Sequence, residues 1–163
     1  MPNTGDYYEL ALATNEQVLE LKGWFSSQQQ IYTWGGPNLV YPMADDAFMT
    51  ILRLPHLSSY CVVNSAKELL AFGQYYLRLE RHHLGRLAVN PAYRNQGIAK
   101  ILIAGLLAKA SKNSGLREAS LFVFRDNVAA HHCYLNMGFR EEAYPDGMPE
   151  NMPNCVYMVL RPS

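Results

Sequence analysis

The sequence predicts an α/β domain of the mixed α+β kind, in which a mostly antiparallel sheet contains one parallel pair of strands. Strand-like segments lie close together before residue 90, and the short turns between them favour antiparallel pairing. A long helical pattern follows, and strand and helix patterns then alternate to the end of the chain, which makes the two strands that flank the long helix parallel. About four helices are expected around this sheet, and residues 1–163 are expected to form one domain.

The N-terminal half is predicted to contain four strands and two helices. Asn15 is a candidate cap for the first helix, which has apolar residues at helical spacing as far as Trp24. Residues 26–42 are predicted to be irregular, because glycines and prolines in this segment break regular structure. Asp45 or Asp46 is a candidate cap for the second helix, which ends before a proline. The four strands are predicted at 8–13, 60–63, 69–79 and 83–89.

The C-terminal half is predicted to contain two helices and three strands. The longest helix covers residues 96–112 and stops near Gly115, and the second covers residues 127–137 and stops at Gly138. Apolar residues of the longest helix recur at i, i+3, i+4, i+7, i+8 and i+11, which forms one stripe toward a core. That stripe consists of Ala99, Leu102, Ile103, Leu106, Leu107 and Ala110. The strands are predicted at 120–124, 139–144 and 156–160, the last two joined by a loop rich in Pro, Gly and Asn.

The composition is that of an ordinary globular protein without charge bias. Fourteen basic side chains balance fourteen acidic ones, whereas nucleic-acid binders usually carry a basic excess. Three cysteines without a CxxC pair or framework spacing favour a reducing compartment. The first residues lack a signal-peptide pattern, and no apolar segment reaches the roughly 18 residues that span a bilayer. A cytoplasmic protein with no nucleic-acid or membrane partner is therefore predicted.

The turn that precedes the longest helix predicts an anion site. An apolar strand ends at Pro91, and a short turn through Gly97 leads directly into the helix. The first N–H groups of a helix have no intrahelical partner, and the helix dipole adds partial positive charge at the same end. Such a turn suits phosphate, and therefore a phosphorylated cofactor. Taken alone, the same residues fit an ordinary strand-to-helix turn in which Gly97 is a steric requirement equally well.

Two blocks of the sequence resemble the GCN5-related N-acetyltransferase (GNAT) superfamily. VNPAYRNQGIA at 89–99 looks like its acetyl-CoA signature, with Arg94, Gly97 and Ala99 at the Arg/Gln, Gly and Gly/Ala positions. NVAAHHCYLNMGF at 127–139 is similar to its second conserved block in residue types and spacing. The resemblance covers roughly residues 84–144. It implies a GNAT-like acyl-CoA N-acyltransferase fold, with the sheet splayed at its parallel pair, and an acetyl-CoA-dependent enzyme that acts by direct transfer in a ternary complex.

By this resemblance the cofactor is acetyl-CoA. The backbone of residues 87–89 would bind the pantetheine arm like an added strand, and the amides of 95–100 would hold the pyrophosphate while Arg94 adds charge. Asn127 has two interpretations, as a helix cap or as a hydrogen-bond partner of the pantetheine arm. The residues implied at the cofactor are Leu87, Ala88, Val89, Arg94, Asn95, Gln96, Gly97, Ile98, Ala99, Lys100, Asn127, Ala130 and Tyr134.

Tyr134 and the segment before the phosphate turn are the candidates for catalysis. Tyr134 is either a core aromatic or, by the resemblance, the phenol that stabilises or protonates the departing thiolate. The acceptor amine must first lose a proton, because an ammonium with a pKa near 10.4 is almost fully charged at neutral pH. Many GNAT members carry a glutamate for this step on the preceding strand, where this chain has histidines. His83 lies nearest that place, Glu80 lies just before it, and a water relay or a merely solvated histidine pair are the alternatives.

Aromatic residues are candidate walls of an acceptor pocket, although such residues often form core. They are Tyr32, Trp34 and Tyr41, together with Trp24, Tyr75 and Tyr76. The expected acceptor is a small-molecule amine, with a peptide N-terminus or a protein lysine as the alternative acceptor and a non-catalytic acyl-CoA sensor as the alternative function.

Neither a metal site nor an acyl-cysteine is predicted. The adjacent His131 and His132 lack the i, i+4 spacing of a helical metal pair, and Cys133 has no local signature of a paired base. Dimers are common among proteins of this kind, and a homodimer stays open because no self-pairing surface can be read from the sequence.

Overall fold

Seven strands form one sheet in the order β1-β2-β3-β4-β5-β7-β6. The computed structural model describes residues 7–148 and 152–162. Among these residues every neighbouring pair of strands is antiparallel except β4 and β5, which are parallel, so the predicted mixed sheet is confirmed. The strands are β1 (Tyr8–Leu12), β2 (Ser58–Asn64), β3 (Leu69–Arg78), β4 (Arg81–Val89), β5 (Ala119–Phe124), β6 (Arg140–Glu142) and β7 (Cys155–Leu160).

Within the described part of the chain, five α-helices accompany the sheet, one more than the sequence predicted. The additional helix lies in the segment predicted to be irregular, so that prediction was wrong for these residues. Ser27 caps this helix by accepting a hydrogen bond from the Gln30 amide at 3.1 Å, and Gly36, at φ 94°, ends it. The glycines therefore close a helix instead of excluding one. The helices are α1 (Asn15–Lys22), α2 (Gln28–Gly35), α3 (Asp45–Leu52), α4 (Ile98–Ser114) and α5 (Val128–Asn136).

Several helix starts differ from the predicted ones by a residue or two. Thr14, not Asn15, caps α1, because its hydroxyl and the Gln17 side chain form a capping box. Ala44 precedes α3 without a side-chain bond, so neither predicted aspartate caps that helix. The carboxylates of its first turn lie at the positive end of the helix dipole instead.

Two cores lie on the two faces of the sheet. The α4 face is covered by α4 and α5 and contains Leu102, Leu106 and Phe139, each fully buried. The α2 face is covered by α1, α2 and α3 and contains Ile31, Phe48 and Phe72, also fully buried. Burial on both sides explains why the central strands read as continuous apolar runs in the sequence.

Alternation along β3 and β4 sends neighbouring side chains to opposite faces. Gln74 donates to the Leu52 carbonyl of α3 at 2.7 Å, so it lies on the α2 face. Tyr75 packs in the core of the α4 face. On β4, His83 contacts Tyr76 on the α2 face, whereas Leu84 belongs to the core of the α4 face. Residues one position apart can therefore serve different partners.

Two features of the sequence lie outside the described residues. One is the segment 1–6, used above to argue against a signal peptide, and the other is part of the loop that joins β6 and β7. Among the helices that the structure describes, none combines the length and the apolar character needed to cross a bilayer.

Candidate active site

The two parallel strands separate in the middle of the sheet. Within the described residues, β4 pairs with β5 only through His82, His83 and Leu84. β4 then continues to Val89 with β3 as its partner, while β5 continues with β7. We call the opening beyond Leu84 the splay. It leaves one edge of the backbone of Gly85–Val89, including the predicted Leu87, Ala88 and Val89, without a neighbouring strand, as an extended ligand requires.

A β-bulge shapes the edge of this opening. The register between β3 and β4 shifts between Phe72 and Gln74, and Arg86 has a φ of 51° in the left-handed region. The Arg86 guanidinium donates to the Ile51 carbonyl at 3.3 Å and to Gln74 Oε1 at 3.2 Å. These hydrogen bonds to acceptors on α3 and β3 hold Arg86 in a backbone conformation that a non-glycine residue rarely adopts.

The turn at residues 94–100, which we call the phosphate turn, has the expected backbone form. Asn95 and Gly97 have positive φ values of 63° and 78°, and α4 begins directly after Gly97. The Ile101 amide donates to the Gly97 carbonyl, so the three preceding helical amides have no intrahelical acceptor. Arg94, Asn95, Gln96 and Lys100 are exposed, Ala99 is half-buried and Ile98 anchors the turn in the core. The turn therefore presents free N–H groups and charge to solvent.

Two further predicted cofactor residues lie on α5. Asn127 occupies the N-cap position, yet its side chain makes no capping hydrogen bond, so the interpretation as a side-chain cap is not supported. Ala130 packs against the core of the α4 face. The side-chain amide of Asn127 therefore makes no hydrogen bond that caps α5.

Tyr134 lies on the α4 face, half-buried and tilted against Phe139 at a ring-centroid distance of 6.1 Å. Burial, with a contribution from Cys133, raises the pKa of Tyr134 above its usual value. Burial also raises the pKa of the Cys133 thiol, although Lys100 partly opposes that change. Both groups therefore keep their protons at neutral pH, which makes Tyr134 a proton donor and Cys133 a poor nucleophile.

His83 lies on the opposite face, one residue before the last paired step at Leu84. Its side chain is 2% exposed, and Nδ1 is 2.9 Å from the Ser120 hydroxyl on β5. The rings of Phe122 and Tyr76 pack against it at centroid distances of 4.6 and 5.3 Å. Burial, followed by the charge of Arg78, lowers the pKa of His83 to about 3. His83 is thus a buried neutral imidazole and not a solvated turn residue.

The structure does not bring all of the other candidates to this place. Glu80 is exposed in the β3–β4 turn at a φ of 60°, outside the contacts around His83. Tyr75 stacks on Tyr60 under α4, on the other face from the α2 helix that carries Tyr32 and Trp34. Tyr75 therefore cannot form one pocket wall with those two residues.

Tyr32 and Trp34 both lie over the α2 face but in different surroundings. Tyr32 tilts against Phe124 of β5 at 5.1 Å, whereas Trp34 stacks on Phe25 at 4.6 Å within the core. Tyr32 is accordingly near the strands that carry His83 and Ser120, and Trp34 is a core residue.

Sequence reasoning missed the residues that surround His83. Phe122 and Tyr144 pack edge to face at 5.4 Å, and Tyr144 packs in the same way on Tyr157 at 4.9 Å. The guanidinium carbon of Arg78 lies 5.2 Å from the Phe122 ring centroid. Only the pairing of the strands brings these residues to His83. Across the β3–β4 pair, Tyr76 stands opposite His83 and Arg78 stands opposite Arg81.

The splayed sheet, the phosphate turn and the imidazole beside the opening together define the class of an acyl-CoA-dependent transferase. A family model described as the acetyltransferase (GNAT) family matches residues 21–139 of the chain. The chain therefore belongs to the GNAT acetyltransferase family, and it is an N-acetyltransferase that uses acetyl-CoA.

Solved structures with the same fold are distant in sequence. The PaiA N-acetyltransferase from Thermoplasma acidophilum, in complex with coenzyme A, has 17% identity and a TM-score of 0.68, with 95% of this chain and 99% of that chain covered. The spermidine N-acetyltransferase from Vibrio cholerae, in complex with CoA and spermine, has 15% identity and a TM-score of 0.71, with 94% of each chain covered. The ribosomal-protein-S18-alanine N-acetyltransferase from Escherichia coli has 19% identity and a TM-score of 0.64, with 94% and 93% covered.

The residues present fit acetyl-CoA. The unpaired edge of β4 and the free amides after Gly97 are donors for an amide-containing arm and for phosphates. A β-carbon built at Gly97 would meet no atom of the described residues within 4 Å, so the turn is open where a phosphate would approach. These features lie along one path, from the N-terminus of α4 to the splay.

Proposed function

We propose that this protein transfers the acetyl group of acetyl-CoA to the primary amine of a small molecule, by direct attack in a ternary complex. The observation that supports the proposal is that His83, beside the splay, lies on the α2 face of the sheet, whereas Tyr134 lies on the α4 face. Acetyl-CoA supplies the thioester. Because the strands separate there, an amine on the α2 face and a leaving group on the α4 face can meet through the opening.

His83 is the proposed base for the acceptor amine. In the tautomer whose Nδ1–H donates to the Ser120 hydroxyl, Nε2 is the ring nitrogen that can accept a proton. Its low pKa keeps the imidazole unprotonated throughout the physiological range. Glu80 is not assigned a role, because it is exposed in a turn.

Tyr134 is the proposed acid. Its raised pKa means that the phenol holds its proton at neutral pH, and within the described residues its hydroxyl makes no hydrogen bond. The phenol can therefore donate a hydrogen bond to the departing thiolate and stabilise its negative charge.

Direct transfer is favoured over a covalent enzyme intermediate. The described cysteines near the site are protonated thiols: burial raises the pKa of Cys133, and burial raises that of Cys155 to about 11. A protonated thiol is a weak nucleophile. Direct transfer between two bound substrates is therefore favoured, because it needs no thiolate from the protein.

Calorimetry with acetyl-CoA, followed by thiol release in the same sample with a panel of amines, tests the proposal. We expect saturable acetyl-CoA binding and thiol release that requires an amine with a free primary nitrogen. N-methylated and N-acetylated forms of the best amine serve as matched controls and should not react. Failure to bind acetyl-CoA would contradict the assignment of the phosphate turn, and thiol release that no amine accelerates would contradict amine acetylation.

A further inference from the structure

Arg78 lies at the end of β3 with its guanidinium among aromatic rings on the α2 face. Nη1 donates to the Tyr144 hydroxyl at 2.9 Å, and Nη2 lies 3.5 Å from the Tyr76 hydroxyl. The guanidinium carbon is 5.2 Å from the Phe122 ring centroid and 5.6 Å from that of Tyr76. This cation is half-buried and is held by neutral groups.

The charge of Arg78 has no counter-ion among the residues that the structure describes. Its Nε atom is buried without a hydrogen-bond partner there, and no described carboxylate lies within 4.0 Å of the guanidinium. Nearby carboxylates are already engaged: Glu118 pairs with Arg81 at 2.7 Å, and Glu142 pairs with Arg161. Because a guanidinium carries five donors in a planar fork and a buried unpaired charge is costly, an anion is the complementary partner.

Arg78 and His83 share the same aromatic neighbours. The His83 ring lies 4.6 Å from the Phe122 ring, on which Arg78 also packs, and Tyr76 contacts both residues. Both groups contact the same Phe122 ring, so the guanidinium and the imidazole cannot be farther apart than these two distances to the ring centroid combined. One small molecule can therefore contact both groups. Tyr144 and Tyr157 of the same cluster also line an open cleft of about 500 Å³, whose charged lining residues are Arg125, Glu141 and Glu142.

Resting on the proposed function, we infer that the acceptor is an amino acid, whose carboxylate binds Arg78 while its amine faces His83. One guanidinium with two phenol hydroxyls matches a singly charged carboxylate better than a doubly charged phosphate. The rings of Phe122, Tyr76 and Tyr144 fit an apolar or flat side chain. A polyamine fits less well, because the cleft carboxylates Glu141 and Glu142 are already paired with Arg125, His131 and Arg161, whereas Arg78 has no described counter-ion.

A carboxylate bound to Arg78 would also change the pKa of His83, the proposed base. The charge of Arg78 is one of the two causes that lower the pKa of His83. A carboxylate on the guanidinium offsets that charge, so an amino acid makes His83 a stronger base than an amine without a carboxylate does. Substrate choice and rate are therefore linked through one residue.

The experiment compares matched amines as acceptors. Thiol release from acetyl-CoA is measured with each of the twenty standard amino acids, with spermidine, and with the series phenylalanine, phenylalanine amide and phenethylamine. Rates are compared per neutral amine, so that differences in amine pKa do not enter. We expect an amino acid to give the highest kcat/KM and to exceed its own amide and decarboxylated form by about 10- to 100-fold, the effect of a hydrogen bond to a charged group.

Three variants locate the cause. Arg78→Leu should remove most of that preference, Arg78→Lys should restore part of it because a lysine keeps the charge but not the fork, and Arg117→Leu, at an exposed arginine, should leave it unchanged. The readout is a ratio between two acceptors, so partial unfolding of a variant does not imitate the result. Acetyl-CoA affinity reports whether each variant retains the cofactor site.

Distinct outcomes separate the two proposals. Acetylation of spermidine or phenethylamine without a carboxylate preference, a preference that survives Arg78→Leu, or acetyl-CoA binding with no amino acid acetylated would each overturn the inference about Arg78. None of the three would remove the cofactor site. Absence of acetyl-CoA binding would instead overturn the proposed function on which the inference rests.

Discussion

The two faces of the sheet contribute to the site with different parts of the chain. On the α4 face, the segment that fits the cofactor is backbone: exposed residues at positive φ and helical amides without an acceptor. On the α2 face, the proposed acceptor region is built from side chains: the buried His83 and the half-buried residues around it, including Phe122. The two proposals therefore make cofactor binding depend on backbone conformation at few positions and acceptor choice depend on side-chain identity at many.

The largest expected effect is on the backbone-built region. Gly97→Trp should reduce acetyl-CoA affinity more than 100-fold, because the bulky side chain fills the open side of the phosphate turn. Gly115→Trp is the matched control, since Gly115 ends the same helix with the same φ of 78° and equally open surroundings. Calorimetry should show loss of binding in the first variant alone, and equal affinity in both would show that the cofactor does not lie at this turn.

His83→Ala tests the side-chain-built region. We expect kcat to fall by about 10²- to 10⁴-fold, the usual contribution of a general base, with acetyl-CoA affinity unchanged. Because the pKa of His83 is about 3, the loss should be nearly constant across neutral and alkaline pH and should not displace the acidic limb. His82→Ala, which alters a buried histidine that contacts Ser114, is the control for lost packing. Similar rates in the two variants would remove His83 from the mechanism.

Tyr134→Phe should give a smaller loss. We expect kcat to fall by about 10- to 100-fold, because one hydrogen bond to a developing thiolate is lost while the ring still packs on Phe139. Tyr60→Phe removes a phenol from the same face on β2, which neighbours neither strand of the splay, and should leave the rate unaltered. Steady-state kinetics measure both, and an unimpaired Tyr134→Phe enzyme would assign that tyrosine to the core alone.

The smallest expected effect is on the pH dependence of the free energy of unfolding. His83 binds a proton in the unfolded chain below pH 6.5 but in the folded protein only near pH 3, so unfolding takes up a proton between these values. Stability should therefore fall with acidification in that window, by about 1.4 kcal/mol per pH unit from this group. Urea unfolding of His83→Gln should show a correspondingly weaker pH dependence, and identical slopes would show that His83 is not buried neutral.

The cofactor region could be predicted because its determinants are local in sequence. Gly97 must adopt a positive φ where a strand turns into a helix, and the spacing from Arg94 to Ala99 carries that requirement. The parallel direction of β4 and β5 follows from the strand–helix–strand order. Even so, the start of α4 was placed two residues early, because an exposed turn and a first helical turn have similar composition.

The acceptor region could not be predicted because its residues meet only through the sheet. Arg78, His83 and Phe122 come from three strands and have no common spacing in the sequence. The sequence is equally compatible with a solvated His83, and only the folded sheet, which packs His83 beside Ser120, shows that it is buried. The helix α2, which covers part of this face, was missed because its terminal glycines outweighed the cap at Ser27.

The proposed mechanism requires that both substrates are bound at the same time, one on each face of the sheet at the splay. The most direct test measures initial rates while the concentrations of acetyl-CoA and of the fastest amine are both varied. A ternary complex predicts double-reciprocal lines that intersect, and intact protein mixed with acetyl-CoA alone should keep its original mass. Parallel lines, or an acetyl group retained on the protein in the absence of amine, would contradict direct transfer.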